Sequence, residues 1–128
     1  MNIGAAAEAS GLPAKTIRYY EEIGLVSPDR RENSYRDYSD QHIHKLRFLQ
    51  RARSLGFSVE ECRQLLSLYE DESRASADVK RLAQSHLEDI KIKIQELQSM
   101  RTVLENLVRS CHGDERADCP ILNDLAKV

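Results

Sequence analysis

The feature of this sequence that most constrains its fold is a long stripe of apolar residues in the second half of the chain. Between residues 76 and 110 the apolar side chains recur in steps of three and four, the spacing of one face of an α-helix. A helix of more than about thirty residues is on the order of 45 Å long, too long to fold back onto a small domain. The pattern therefore favours a homodimeric coiled coil over a core helix within one chain. The stripe consists of Val79, Ala83, Leu87, Ile90, Ile94, Leu97, Leu104, Leu107 and Val108, with Arg101 as an interruption.

The composition fits a helix-rich protein with one small core. The chain has 128 residues, of which 41% are hydrophobic and 31% charged. It contains no run near the roughly 20 apolar residues that a membrane span requires, and its first residues lack the basic start and apolar run of a secretory signal. We therefore expect a cytoplasmic protein without a membrane partner. The net charge of −2 does not by itself indicate a nucleic-acid partner.

The three cysteines divide into one core residue and one pair. Cys62 shares a helical face with Leu65, Leu66 and Tyr69, which predicts burial. Cys111 and Cys119 enclose a short polar loop, and in a reducing compartment such residues are better interpreted as thiols or metal ligands than as a disulfide. Pro120 is expected to open a short helix whose N-terminal end lowers the pKa of Cys119.

Helix signals are also strong in the first half of the chain. A helix over residues 4–10 is expected to end at Gly11, and a second is expected to start near Pro13 and run to Gly24. On the second helix Ile17 points inward, while a basic and aromatic face remains outside. That outer face carries Lys15, Arg18 and Tyr19.

Turn-forming residues then lead to a short strand or hairpin arm at residues 35–38. Ser39 is expected to cap a third helix with a buried stripe, and Ser58 with Glu61 forms a capping-box pattern for a fourth. Three histidines are interpreted as structural, and no catalytic motif is present, so we expect no enzyme. The buried stripe is Ile43, Leu46, Leu49 and Ala52, and the histidines are His42, His44 and His86.

Several motifs together resemble a known family. The chain contains "IRYYEEIGL", "YRDY", "GFSVEE" and a terminal C-x7-C-P loop behind a long helix. In this combination it resembles the MerR family of bacterial transcription regulators, in particular the copper-responsive branch of the CueR type. The resemblance implies a mainly α fold. It places a winged helix-turn-helix DNA-binding domain at 1–70, a linker at 71–75, a dimerisation helix forming an antiparallel coiled coil at 76–110, and a metal-binding loop with a short helix at 111–128.

For nucleic acid, the resemblance implies that a homodimer binds double-stranded promoter DNA with its second helix in the major groove. The bound metal ion would then distort an over-long promoter spacer so that RNA polymerase engages both promoter elements. Contacts to phosphates would supply affinity, and contacts to base edges would supply sequence specificity. The residues implied are Lys15, Arg18 and Tyr19 on the helix, with Arg31, Tyr35 and Arg36 on the wing.

For metal, the resemblance implies an effector Cu(I), or equally Ag(I) or Au(I), held by Cys111 and Cys119. Thiolates are soft ligands that bind such ions well, whereas structural zinc sites and iron–sulfur clusters require four protein ligands. Ser76, which also suits a helix cap, stands where sensors of divalent ions in the family carry cysteine. Lys80 is a candidate to offset the negative charge of the site, although a solvated lysine is an equal alternative.

Two alternatives remain open at this point. A regulator of the same architecture could respond to a divalent metal or to another effector, but the relatives that bind organic cations append a larger domain and only about eighteen residues follow the long helix here. A cytosolic metal–thiol buffer would need the cysteine loop but not the basic helix and wing. Salt-sensitive, sequence-selective binding of promoter DNA would separate the two classes.

Overall fold

The computed structural model describes residues 1–30 and 35–127, and it is mainly helical, as the sequence predicts. The chain forms two compact units, Met1–Val79 and Lys80–Val128. Six helices and one two-stranded antiparallel sheet make up the described residues. In chain order they are α1 (Ile3–Ser10), α2 (Ala14–Glu22), β1 (Asp29–Arg30), β2 (Arg36–Asp37), α3 (Asp40–Ser54), α4 (Val59–Glu70), α5 (Ser76–Ser110) and α6 (Pro120–Leu125).

The first two helices form the expected helix-turn-helix. Asn2 caps α1 by accepting a hydrogen bond of 2.8 Å from the backbone N–H of Ala5. Gly11 ends the helix in the left-handed region, with φ of 77°, as the sequence predicts. Pro13 lies one residue before α2 instead of inside its first turn, and its extended backbone directs the chain into the helix.

The core of the first unit lies between α1, α2, α3 and α4. The four α3 residues of the predicted stripe are all buried, and Cys62 on α4 is 1% exposed, so both predictions are confirmed. The apolar faces of these four helices pack against one another, as short amphipathic helices require. The central side chains are Ile17 and Tyr20 of α2, Ile43, Leu46 and Leu49 of α3, and Cys62 and Leu66 of α4.

Both predicted serine caps are present. Ser58 and Glu61 form the expected capping box, in which the Ser58 N–H donates to Glu61 Oε1 at 2.8 Å. Ser39 caps α3, and His42 completes a second box because its Nδ1 accepts the Ser39 N–H at 2.9 Å. Tyr69 differs from expectation: it is 46% exposed, and its hydroxyl pairs with His44 Nε2 at 2.9 Å.

The long helix α5 contains 35 residues, which corresponds to about 50 Å. The stripe predicted on it stays largely in solvent in the single chain: Leu97 is 62% exposed, Leu104 53% and Val108 60%. His86 is buried, whereas the sequence placed it only beside the stripe. Across the described residues, no helix combines the length and apolar character needed to cross a bilayer.

Candidate functional site

The outer face of α2 carries the side chains predicted to meet nucleic acid. Lys15 and Arg18 are exposed, and Tyr19 is 47% exposed. On the opposite face Ile17 and Tyr20 are buried in the core, which fixes the rotation of the helix. Residues three and four apart lie side by side on a helix, so the two cations and the phenol form one contiguous patch.

The wing is the hairpin formed by β1 and β2. Its register places Arg30 opposite Arg36 and Asp29 opposite Asp37. Tyr35, directly before β2, is 71% exposed and therefore open to contact with a partner. Arg31 and the neighbouring Ser34 lie outside the described residues, so the DNA contact predicted for Arg31 stays a prediction.

Arg36 does not simply extend into solvent. Its Nε donates a hydrogen bond to Glu21 Oε2, and Arg30 Nη2 donates to Glu21 Oε1 at 2.7 Å. Hydrogen bonding to Glu21 raises the pKa of Arg36. The last turn of α2 is thereby joined to both strands of the wing. Glu21 was not singled out from the sequence, where an acidic pair at the end of a helix indicates only a solvated surface.

The two loop cysteines lie at the ends of neighbouring helices. Cys111 directly follows α5, and its N–H donates to the carbonyl oxygen of Leu107 at 3.1 Å. Cys119 directly precedes α6, and both side chains are partly exposed. Hydrogen bonding from the Cys111 side chain is one of the influences that lower the pKa of Cys119. The loop therefore brings together the two side chains that the sequence proposed as ligands.

The surroundings of Cys119 favour its thiolate. The backbone N–H groups of Leu122 and Ile121, together with the Cys111 thiol, lower the pKa of Cys119, while Asp118 opposes them. The loop itself is braced by an ion pair of 2.8 Å between Asp114 Oδ2 and Arg116 Nη2. A partly exposed thiol with a lowered pKa, close in sequence to a second thiol, is chemically suited to binding a soft metal ion.

Among the described residues, the two thiols do not form part of a larger group of metal ligands. Within residues 1–30 and 35–127, no set of three or more His, Cys, Asp or Glu side chains is arranged to hold a metal ion. Cys62 is separate, because it is buried and burial raises its pKa. The donor set fits an ion that accepts two sulfurs and does not fit a four-ligand zinc or iron–sulfur site.

Ser76 and Lys80 occupy the opposite end of α5 from the cysteines. The sequence predicts Ser76 as the cap of α5, but Ser76 is the first residue inside the helix, and both side chains are exposed. Lys80 is separated from Cys111 by nearly the whole helix, about 45 Å. One chain therefore does not place Lys80 at the thiol pair, and such a contact requires a second chain.

Comparison with known proteins identifies the family to which the chain is similar. The family model "MerR HTH family regulatory protein" matches residues 1–68, and "MerR, DNA binding" matches residues 43–107. The regulator HmrR of Rhizobium leguminosarum bv. viciae is 64% identical, over 98% of both chains. The regulator CueR of Salmonella typhimurium is 48% identical, over 98% of this chain and 92% of its own. A crystal structure of PbrR691 from Ralstonia metallidurans CH34 in complex with lead(II) is 33% identical, with a TM-score of 0.83 and coverage of 98% and 99% of the two chains.

Proposed function

The chain belongs to the MerR family of helix-turn-helix regulators, and from this premise we propose that it activates genes for resistance to, or efflux of, monovalent coinage metals. Members of this family are DNA-binding regulators and not enzymes. In this proposal a homodimer binds promoter DNA and Cu(I), Ag(I) or Au(I) is the effector. The observation that carries the proposal is the thiol pair of Cys111 and Cys119 without a third ligand in the described residues.

The number and charge of the ligands favour a monovalent ion. Two thiolates around a +1 ion leave a net charge of −1, whereas a +2 ion would leave none. The backbone N–H groups beside Cys119 offer partial positive charge to an anionic complex. Serine at position 76 supports the same choice, because it adds no third sulfur. PbrR691, which is similar in structure, was solved in complex with lead(II), so the proposal assigns the choice of ion to the residues of the loop.

Dimerisation is supported by the exposed stripe on α5. Leu97, Leu104 and Val108 are each more than half exposed in one chain, and together they form a continuous apolar face that water disfavours. A second α5 packed against it as an antiparallel coiled coil would cover that face. It would also bring the first turns of one helix, with Ser76 and Lys80, towards the cysteine loop of the partner.

Activation would work through the shape of the promoter. The α2 patch carries the cations Lys15 and Arg18, and the wing carries the exposed Tyr35, so these two regions would contact phosphates and base edges. If the bound ion stabilises one dimer conformation over the other, the promoter bends and untwists, and RNA polymerase then engages both of its elements. The domain boundaries at 1–70, 71–75, 76–110 and 111–128 belong to this proposal.

A transcription assay on a promoter with an over-long spacer tests the proposal. The reduced protein is compared with Cys111→Ser and Cys119→Ser, with Cys62→Ala as the matched control at a cysteine outside the loop. Cu(I) and Ag(I) should activate the native protein and the control, and neither loop variant should respond. Strong activation by Zn(II) or Hg(II) would favour the alternative of a regulator for divalent metals.

A gel-shift assay with the same promoter separates the other alternative, a cytosolic metal–thiol buffer. The regulator should bind the promoter selectively, with an affinity that falls steeply as salt rises. A buffer protein should bind the metal and show no sequence-selective shift. Metal binding without selective DNA binding would therefore overturn the proposed regulator.

A further inference from the structure

The wing contains an arrangement of charges that is unfavourable on its own. Its strand register places the side chains of Arg30 and Arg36 directly opposite each other. Like charges at directly opposed positions of an antiparallel pair repel and destabilise the pairing. The hairpin has only two residues in each strand, so it has few other cross-strand contacts to offset this repulsion.

One carboxylate from α2 lies between the two arginines. Glu21 accepts a hydrogen bond from Arg30 at Oε1 and one from Arg36 at Oε2, so each carboxylate oxygen binds one strand of the wing. Its side chain is 16% exposed, compared with 51% for Arg30 and 35% for Arg36. A carboxylate shielded from water interacts more strongly with both cations than a fully hydrated one would. We call these three residues the wing clamp.

A buried side chain lies close to the Glu21 end of the wing clamp. Tyr38, which follows β2, is 1% exposed, and its hydroxyl finds no hydrogen-bond partner among the described residues. Burial raises the pKa of Tyr38, and the nearby Glu21 raises it further. A carboxylate that is shielded from water is stable only while its cations stay in place. Removal of Glu21, or of the arginines that pair with it, therefore leaves a charge without its counter-charge.

We propose that Glu21 is a positioning residue of the DNA interface, which fixes the wing against the recognition helix by holding Arg30 and Arg36 together. This inference rests on the proposed DNA-binding function. Arg36 was expected to contact DNA directly. In this proposal its guanidinium instead binds Glu21 and so connects the wing to α2, and other cations make the phosphate contacts. The patch on α2 and the wing then approach DNA as one rigid surface, which lowers the entropy cost of binding.

The proposal predicts an effect opposite to that of simple electrostatics. Removal of a negative charge beside DNA should strengthen binding if only the overall field matters. Glu21→Gln should instead weaken promoter binding by about tenfold or more, because it releases the wing. Glu22→Gln is the matched control: it removes the same charge from the next residue, which is exposed, and should leave affinity unchanged or raise it by up to about threefold.

The salt dependence of binding distinguishes a link from a phosphate contact. Loss of one phosphate contact reduces the slope of log K against log salt by about one. If Arg36 is a link, Arg36→Gln should lower affinity without that change in slope. The double variant Glu21→Gln with Arg36→Gln should bind the promoter at least as tightly as the single variant with the lower affinity. Glu21→Asp keeps the negative charge and should therefore bind more tightly than Glu21→Gln.

The same variants are measured in urea unfolding without DNA, so that the clamp is tested separately from the proposed function. Non-additive losses of stability for Glu21 and Arg36 are expected whether or not the protein binds a promoter. If the native protein binds no promoter but this coupling is present, the proposed function fails and the clamp stands as a structural contact. If the native protein binds its promoter and Glu21→Gln behaves like Glu22→Gln, the positioning role is wrong.

Discussion

Replacement of Leu97 by alanine should weaken the association of two chains far more than the folding of one. In the single chain Leu97 is 62% exposed, and surface substitutions of this kind usually change the free energy of unfolding by less than about 0.5 kcal/mol. In a coiled coil the same side chain is buried against the partner. The substitution therefore separates the proposed dimer from a long helix that remains solvated.

The size of the effect follows from the exposed fraction. Full burial of a leucine side chain is worth about 1.5–3 kcal/mol. The 62% of Leu97 that remains exposed can therefore contribute about 1–2 kcal/mol on dimerisation. Each dimer loses two such side chains, so the total loss is about 2–4 kcal/mol. At about 1.4 kcal/mol for each factor of ten, the dissociation constant of the dimer should rise roughly 30- to 1,000-fold.

Sedimentation equilibrium over a range of protein concentrations measures this constant. Gln95→Ala, at an exposed position on α5 outside the stripe, is the matched control and should leave the constant nearly unchanged. If the Leu97→Ala protein associates as tightly as the control, the stripe on α5 is not the dimer interface.

Three further predictions concern the loop, a helix cap and the choice of ion. In the metal-free, reduced protein, Cys119 should still be alkylated rapidly at a pH below the usual pKa of a thiol, and its alkylation rate should fall only as the pH drops through its own lowered pKa. Buried Cys62 should be alkylated only after unfolding. A midpoint for Cys119 at the usual pKa of a thiol, measured by mass spectrometry across a pH series, would contradict this prediction. Ser58→Ala should lower the free energy of unfolding by about 1 kcal/mol in urea titrations because the Glu61 N–H loses its acceptor, and a change below about 0.3 kcal/mol would show that this cap is unimportant. Ser76→Cys should extend transcriptional activation to Zn(II) or Hg(II) by adding a third sulfur, and an unchanged metal profile would remove Ser76 from the account of selectivity.

The sequence predicts most of the helices because their signals are local. Hydrophobic spacing identifies the buried side of α3, and Ser58 with Glu61 marks the start of α4 through groups only three residues apart. The outer patch on α2 follows from the same periodicity, since burial of Ile17 leaves Arg18 exposed. Such features depend on helix geometry alone, which the sequence specifies directly.

The sequence does not reveal features that depend on how separate elements meet. Glu21 contacts arginines that are nine and fifteen residues away, and only the folded wing brings them together. His42 completes a capping box in a position where glutamate or glutamine is usual, so the sequence motif is hidden. Tyr69 matches the period of its buried face, but it lies at the edge of the core, where Phe48 and His44 cover only part of its ring.

X-ray absorption spectroscopy at the copper edge can determine whether Cys111 and Cys119 alone hold one monovalent ion, as we propose. The reduced protein loaded with one equivalent of Cu(I) per chain should show two sulfur scatterers in a linear arrangement. Cys62→Ala should give the same spectrum. A first coordination sphere dominated by nitrogen or oxygen, a third sulfur, or failure to retain the ion would contradict the two-thiolate site.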